Sequence, residues 1–120
     1  MKNIPVLTWC LFFLSMLSSV GQVAAAEDAV HTVEIPDGVD QFMPAIVSIS
    51  AGETVRWVNN DTKQPSHDFA SLPGSKPENK ELKVIELKSG EVFEHTFNRP
   101  GEYIYFCYIH KGMIGKVVVK

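Results

Sequence analysis

From residue 29 onward, apolar and polar side chains alternate in short runs that turn signals interrupt. "AVHTVEI" (29–35) stops at "PDG", "AIVSIS" (45–50) at "AGE", and "LKVIEL" (82–87) at "KSGE". "TVRWVN" (54–59) puts Val55, Trp57 and Asn59 on one face and Arg56 and Val58 on the other. "VFEHTF" (92–97) does the same for Phe93, His95 and Phe97. A period of two sends successive side chains to opposite faces of a strand, and β-branched and aromatic residues enrich these runs. "EYIYFC" (102–107) is apolar on both faces, as a strand inside a sheet is, and "GKVVVK" (115–120) follows it. None of these runs carries a helical period. Seven to eight short strands with closely spaced turns predict an all-β fold, a sandwich or small barrel.

One internal stretch breaks the pattern. "QPSHDFASLPGSKPENK" (64–80) holds Pro65, Pro73, Gly74 and Pro77. It predicts a short strand or turn around residues 67–71, followed by an exposed loop.

The first 26 residues read differently. Lys2 precedes an apolar run, "VLTWCLFFLSMLSSV" (6–20), and Ala24 and Ala26 supply small residues at the positions before a cleavage site. This is the pattern of a secretory signal peptide, and the run is shorter than the ~20 residues of a membrane span. Cleavage after Ala26 leaves residues 27–120 as one domain, in the periplasm or otherwise exported. The formal net charge of −3 falls by one more unit with the loss of Lys2, and no basic patch is present. Nucleic acid is therefore excluded as a partner.

Cleavage also removes Cys10, which leaves Cys107 alone. A single thiol in an oxidising compartment has no internal disulfide partner and is open to oxidation, unless it is buried or its sulfur is held. Cys107 heads the series Cys107, His110, Met113, each three residues from the next. A tight loop leaving a strand would turn these three donors to one point. A fourth donor comes from His31, His67 or His95. His67 is the best placed, in the irregular stretch between prolines, whereas His95 fits a half-buried strand face and His31 an exposed terminus. Calcium and magnesium require oxygen ligands, and structural zinc rarely takes a methionine. A thiolate, a thioether and two imidazoles suit copper, and His₂Cys with a weak axial Met is a blue-copper electron-transfer set.

The chain resembles the cupredoxins, in particular the plastocyanin, amicyanin and pseudoazurin group. The resemblance is carried by "VSISAGETVRWVNND" (47–61), "PSH" (65–67) and "FNRPGEYIYFCYIHKGMIGKVVV" (97–119), in that order. Two residues between His110 and Met113 resemble amicyanin and pseudoazurin, and the lack of pseudoazurin's helical tail after the last strand makes amicyanin the nearer description. The resemblance implies a Greek-key β-sandwich with one copper ion, Cu(II)/Cu(I), held at one end by His67, Cys107, His110 and Met113. It further implies a monomeric one-electron carrier rather than an enzyme, with redox proteins docking transiently near His110 on a patch from Met43, Pro65, Ile109 and Ile114. One departure stands out. Asp68 follows the first ligand where family members often carry Asn, and a carboxylate near the metal would favour the oxidised ion.

Two rival functions use the same residues. A copper oxidase or nitrite reductase relative would need further copper-binding histidines, commonly one beside the copper cysteine. Here Phe106 and Tyr108 flank Cys107, and there are only four histidines. A copper-handling protein would bind the ion without cycling electrons.

Overall fold

A computed structural model describes residues 29–72 and 81–120. The expected signal peptide and most of the loop expected after residue 71 lie outside the described residues. Among the described residues there are eight strands: β1 (Val30–Ile35), β2 (Ile46–Ile49), β3 (Thr54–Asn59), β4 (Ser66–Ser71), β5 (Ile85–Lys88), β6 (Val92–Thr96), β7 (Gly101–Cys107) and β8 (Ile114–Val119). They form two sheets, one ordered β1-β3-β6 and the other β2-β8-β7-β4-β5. The chain crosses repeatedly between the two, and the fold is an all-β sandwich. No helix among the described residues is long and apolar enough to cross a membrane.

Strand positions follow the alternation closely. Val33, Ile35, Val55, Trp57, Tyr103, Tyr105, Val117 and Val119 are all buried, each two residues from the next on its own strand. Trp57 is the hub of the core, within 5.4 Å of the rings of both Phe69 and Tyr105 across the sandwich and 5.8 Å from Phe93 beside it. Aromatic pairs at this spacing add to simple burial. β7 lies between β8 and β4, as its two apolar faces predict.

Two features depart from the pattern. β1 pairs parallel with β3, and β2 parallel with β8. Such pairings need crossovers, and local turn signals do not announce them. The run expected over residues 82–87 pairs only from Ile85. Leu82 and Leu87 are both buried but lie five residues apart, which strict alternation cannot place on one face. Leu82 instead plugs the core while its backbone bonds to Ser71: Ser71 N–H donates to Leu82 O at 2.9 Å, and Leu82 N–H to Ser71 Oγ at 3.0 Å.

The antiparallel β4–β7 register sets up the site. Phe69 stands opposite Cys107. His67 is two residues further along β4 on the same inward face, so it lies diagonally past the end of β7. Gly115 is required beneath this corner, because a Cβ there would run into the buried Tyr105 ring.

Candidate metal centre

Three donors meet where β4 and β7 end. Cys107 Sγ lies 4.0 Å from His67 Nδ1 and 3.8 Å from His110 Nδ1. The three donor atoms fall within 4.8 Å of one another. The two imidazole rings are 4.8 Å apart, tilted by 39°. Donors about 2.0–2.3 Å from a common ion and about 120° apart would stand about 3.7 Å from each other. The observed spacing fits one small metal ion between them.

The loop after β7 is closed by its own backbone. Cys107 N–H donates to Met113 O at 2.9 Å, and Met113 N–H to His110 O at 3.3 Å. Gly112 takes φ +85°, a left-handed conformation that other residues adopt at a cost. Met113 is buried at the end of this loop and lines a surface cavity together with Cys107. Tyr108 N–H donates to Asp68 O at 2.8 Å, which ties the two donor-bearing segments together.

Alternation turns the Asp68 side chain away from the face that His67 occupies. Its backbone links the loops, and its buried Oδ1 has no hydrogen-bond partner among the described residues. The carboxylate at the site is Asp61, which sequence reasoning missed. His67 Nε2 and Asp61 Oδ2 are 2.8 Å apart, and both side chains are fully buried. The Gly38 N–H and then the His67 ring hold the Asp61 carboxyl down to about 2, against the opposing effect of burial. An ionised carboxylate only accepts, so His67 must donate its Nε2–H, which leaves Nδ1 turned to Cys107. Asp61 Oδ1 accepts from Gly38 N–H at 2.9 Å and Lys63 N–H at 2.8 Å. Asn59 Oδ1 accepts from Asp61 N–H at 2.9 Å, and Asn59 Nδ2 donates to Leu87 O at 2.9 Å. Asn59, a polar residue on the inward face with Val55 and Trp57, is the sequence signal that could have exposed this network.

The other two histidines are placed elsewhere. His31 and His95 stand on either side of Val55, four residues along β3 from Asn59, or about 13 Å at strand rise. His31 Nε2 pairs with Glu53 and His95 Nε2 with Glu81, each at 2.9 Å.

The family model for copper binding proteins of the plastocyanin/azurin family matches residues 29–120. The chain belongs to that family. Its cofactor is copper, which the thiol-imidazole donor set suits, and it is a blue copper protein of the cupredoxin type. Amicyanin-alpha of Methylorubrum extorquens is 32% identical over 103 residues, covering 85% of this chain and 84% of the relative. The crystal structure of amicyanin from Paracoccus versutus superposes with a TM-score of 0.63 at 32% identity, covering 76% of this chain and 81% of that one. A Cu-containing nitrite reductase from Thermus scotoductus superposes with a TM-score of 0.64 at 32% identity, but only 22% of that chain is covered.

Proposed function

We propose that this protein is an exported one-electron carrier whose single copper is held by His67, Cys107, His110 and Met113. The observation that carries the reading is the approach of Cys107 Sγ to Nδ1 of both imidazoles, at 4.0 and 3.8 Å. When bound, copper supplies reversible exchange of one electron between its two common valences. The protein supplies the rest. Cys107 and His67 sit on strands anchored in the core, and Asp61 fixes the tautomer of His67. The closed loop from Cys107 to Met113 sets the positions of His110 and Met113. A site held this firmly from outside changes little with valence, which favours fast electron transfer.

His110 is the donor nearest solvent, with 15% of its side chain exposed. Met43, Pro65, Ile109 and Ile114 around this end are all exposed. This is a modest apolar surface of the kind that suits brief docking of a redox partner. Tyr108 is also exposed beside Cys107, its ring 4.7 Å from that of Phe106 and tilted by 59°.

The enzyme reading is disfavoured by the placement of the remaining histidines. His31 and His95 lie at the other end of the β1-β3-β6 sheet, paired with glutamates, and Cys107 has no adjacent histidine. The secretory pattern of residues 1–26 supports export to a compartment where Cys107 needs an ion or burial to survive.

The test is to add Cu(II) to the purified protein and record visible and EPR spectra, with Cys107→Ser alongside. An intense thiolate-to-copper band that the variant lacks is the expected result, and its absence from the parent overturns the reading. Fast, reversible voltammetry separates a carrier from a copper-handling protein, which would give tight Cu(I) binding with a sluggish response.

A further inference from the structure

The segment between β1 and β2 brings Asp40 up to the donor cluster. It is pinned on both sides. Gly38 N–H donates to Asp61 Oδ1 at 2.9 Å, and Glu34 and Met43 exchange backbone hydrogen bonds at 2.8 Å. Between these anchors stands Asp40. One of its oxygens is 3.5 Å from His110 Nε2, the nitrogen on the far side of the ring from Cys107. A carboxylate oxygen of Asp40, one of Asp61 and a ring nitrogen of His67 also lie within 4.8 Å of one another. The outer edges of both imidazoles therefore face acids, Asp40 and Asp61, which meet in space from two segments of the chain.

We infer that Asp40 is a positioning residue for His110 and tunes the redox preference of the centre. The inference rests on the reading of His110 as a copper ligand. A carboxylate facing Nε2 favours the tautomer that carries its proton there, which leaves Nδ1 as the donor that faces Cys107. At 3.5 Å the contact is mainly Coulombic rather than a short hydrogen bond. A negative charge at this position stabilises the more positive, oxidised centre over the reduced one. Asp61 acts on His67 from a fully buried position, whereas half of the Asp40 side chain is exposed. The Asp40 contribution is thus the smaller of the two, and it is the one that dissolved salt can screen.

Asp40→Asn keeps the shape and an acceptor but removes the charge, and Asp40→Ala removes both. Two measurements apply. The first is the midpoint potential of the copper-loaded protein at low and high salt. The second is the tautomer of His110 in metal-free protein, read from long-range ¹⁵N–¹H correlations of the ring. Both variants are expected to raise the potential by at least a threefold change in Cu(II)-over-Cu(I) preference, or about 28 mV at 59 mV per tenfold. The gap to the parent should shrink in 1 M salt. The parent and Asp40→Asn should hold the Nε2–H tautomer, and Asp40→Ala should mix the two. A smaller shift, or one unchanged by salt, overturns the electrostatic role. Identical tautomers in all three proteins overturn the positioning role. A parent that develops no thiolate band fails the function reading itself, while the metal-free spectra still decide whether Asp40 orients His110.

Discussion

The two ends of the sandwich each hold two histidines, and every one of the four faces a carboxylate. At one end His67 faces Asp61 and His110 faces Asp40, while at the other His31 faces Glu53 and His95 faces Glu81. A histidine–carboxylate pair therefore does not by itself mark a metal site. The ends differ in what the second ring nitrogen meets and in how dry the pair is. At the first end Cys107 brings a sulfur to both rings, and the His67–Asp61 pair is fully buried. At the second, the pairs remain roughly a quarter to a third exposed, and no grouping of three donors forms there among the described residues. An acid behind a ligating ring orients it and sharpens its basicity, most strongly when buried as Asp61 is, whereas an acid facing a partly exposed ring that meets no sulfur is mostly a solvated ion pair.

The sharpest way to break this comparison is to delete one histidine from each end. His67→Ala is expected to abolish the thiolate-to-copper band, with folding followed by circular dichroism. His95→Ala should leave the band intact. Loss of the band in both variants would mean that the two ends are not independent.

Asp61→Asn comes next. Removing the acid behind a ligating histidine typically costs 10–100-fold in metal affinity, and competition titration with a chelator would read that loss. The same variant tests a pH dependence in metal-free protein. The Asp61 carboxyl is lowered in the folded state, from 3.8 to about 2. Its contribution to stability is therefore complete above 3.8 and is lost as the pH falls toward 2. The parent should lose stability more steeply than Asp61→Asn through that window in acid unfolding curves. Superimposable curves would remove Asp61 from the stabilising network.

Much of this was legible along the chain. Period-two runs placed the strands within a few residues, and Cys107, His110 and Met113 were visible because a hairpin loop is local. His67 could be picked because prolines isolate it from the regular strands. Asp61 and Asp40 were not legible as partners of these residues. Their significance depends on the parallel β1–β3 pairing and on a bond spanning 23 residues, Gly38 to Asp61. The departure from the family's Asn drew attention to Asp68, yet alternation turns its side chain off the face that His67 occupies. The break before Ile85 was hidden because Leu82 is apolar for packing reasons while its backbone serves Ser71.

Gly115→Ala tests whether the metal end depends on the core beneath it. The added methyl must displace the Tyr105 ring, which is fully buried against Trp57, Phe42 and Phe69. Overpacking of this kind costs about 1–3 kcal/mol. The expected result is a lower denaturation midpoint in metal-free protein and a larger deficit once copper is bound, since a strained ligand loop holds the ion less tightly and gains less stability from it. An equal deficit in both forms would mean that the ligand loop transmits no strain from this corner.

The smallest effect belongs to the far end. Glu81→Gln removes the charge facing His95 but keeps a side chain of the same length, and both partners are more than a quarter exposed. Ion pairs in that setting are worth up to about 1 kcal/mol, and less as salt rises. Chemical denaturation should show a change within that limit, and copper uptake and midpoint potential should stay at parent values. A Glu81→Gln protein with an altered potential would tie the two ends through β3, which runs from Val55 beside His95 to Asn59 beneath Asp61. The buried Asn59–Asp61 contact would then carry a distant charge to the donors. In its absence, the acids within hydrogen-bond or ion-pair reach of an imidazole that also meets sulfur are the ones that bear on the metal.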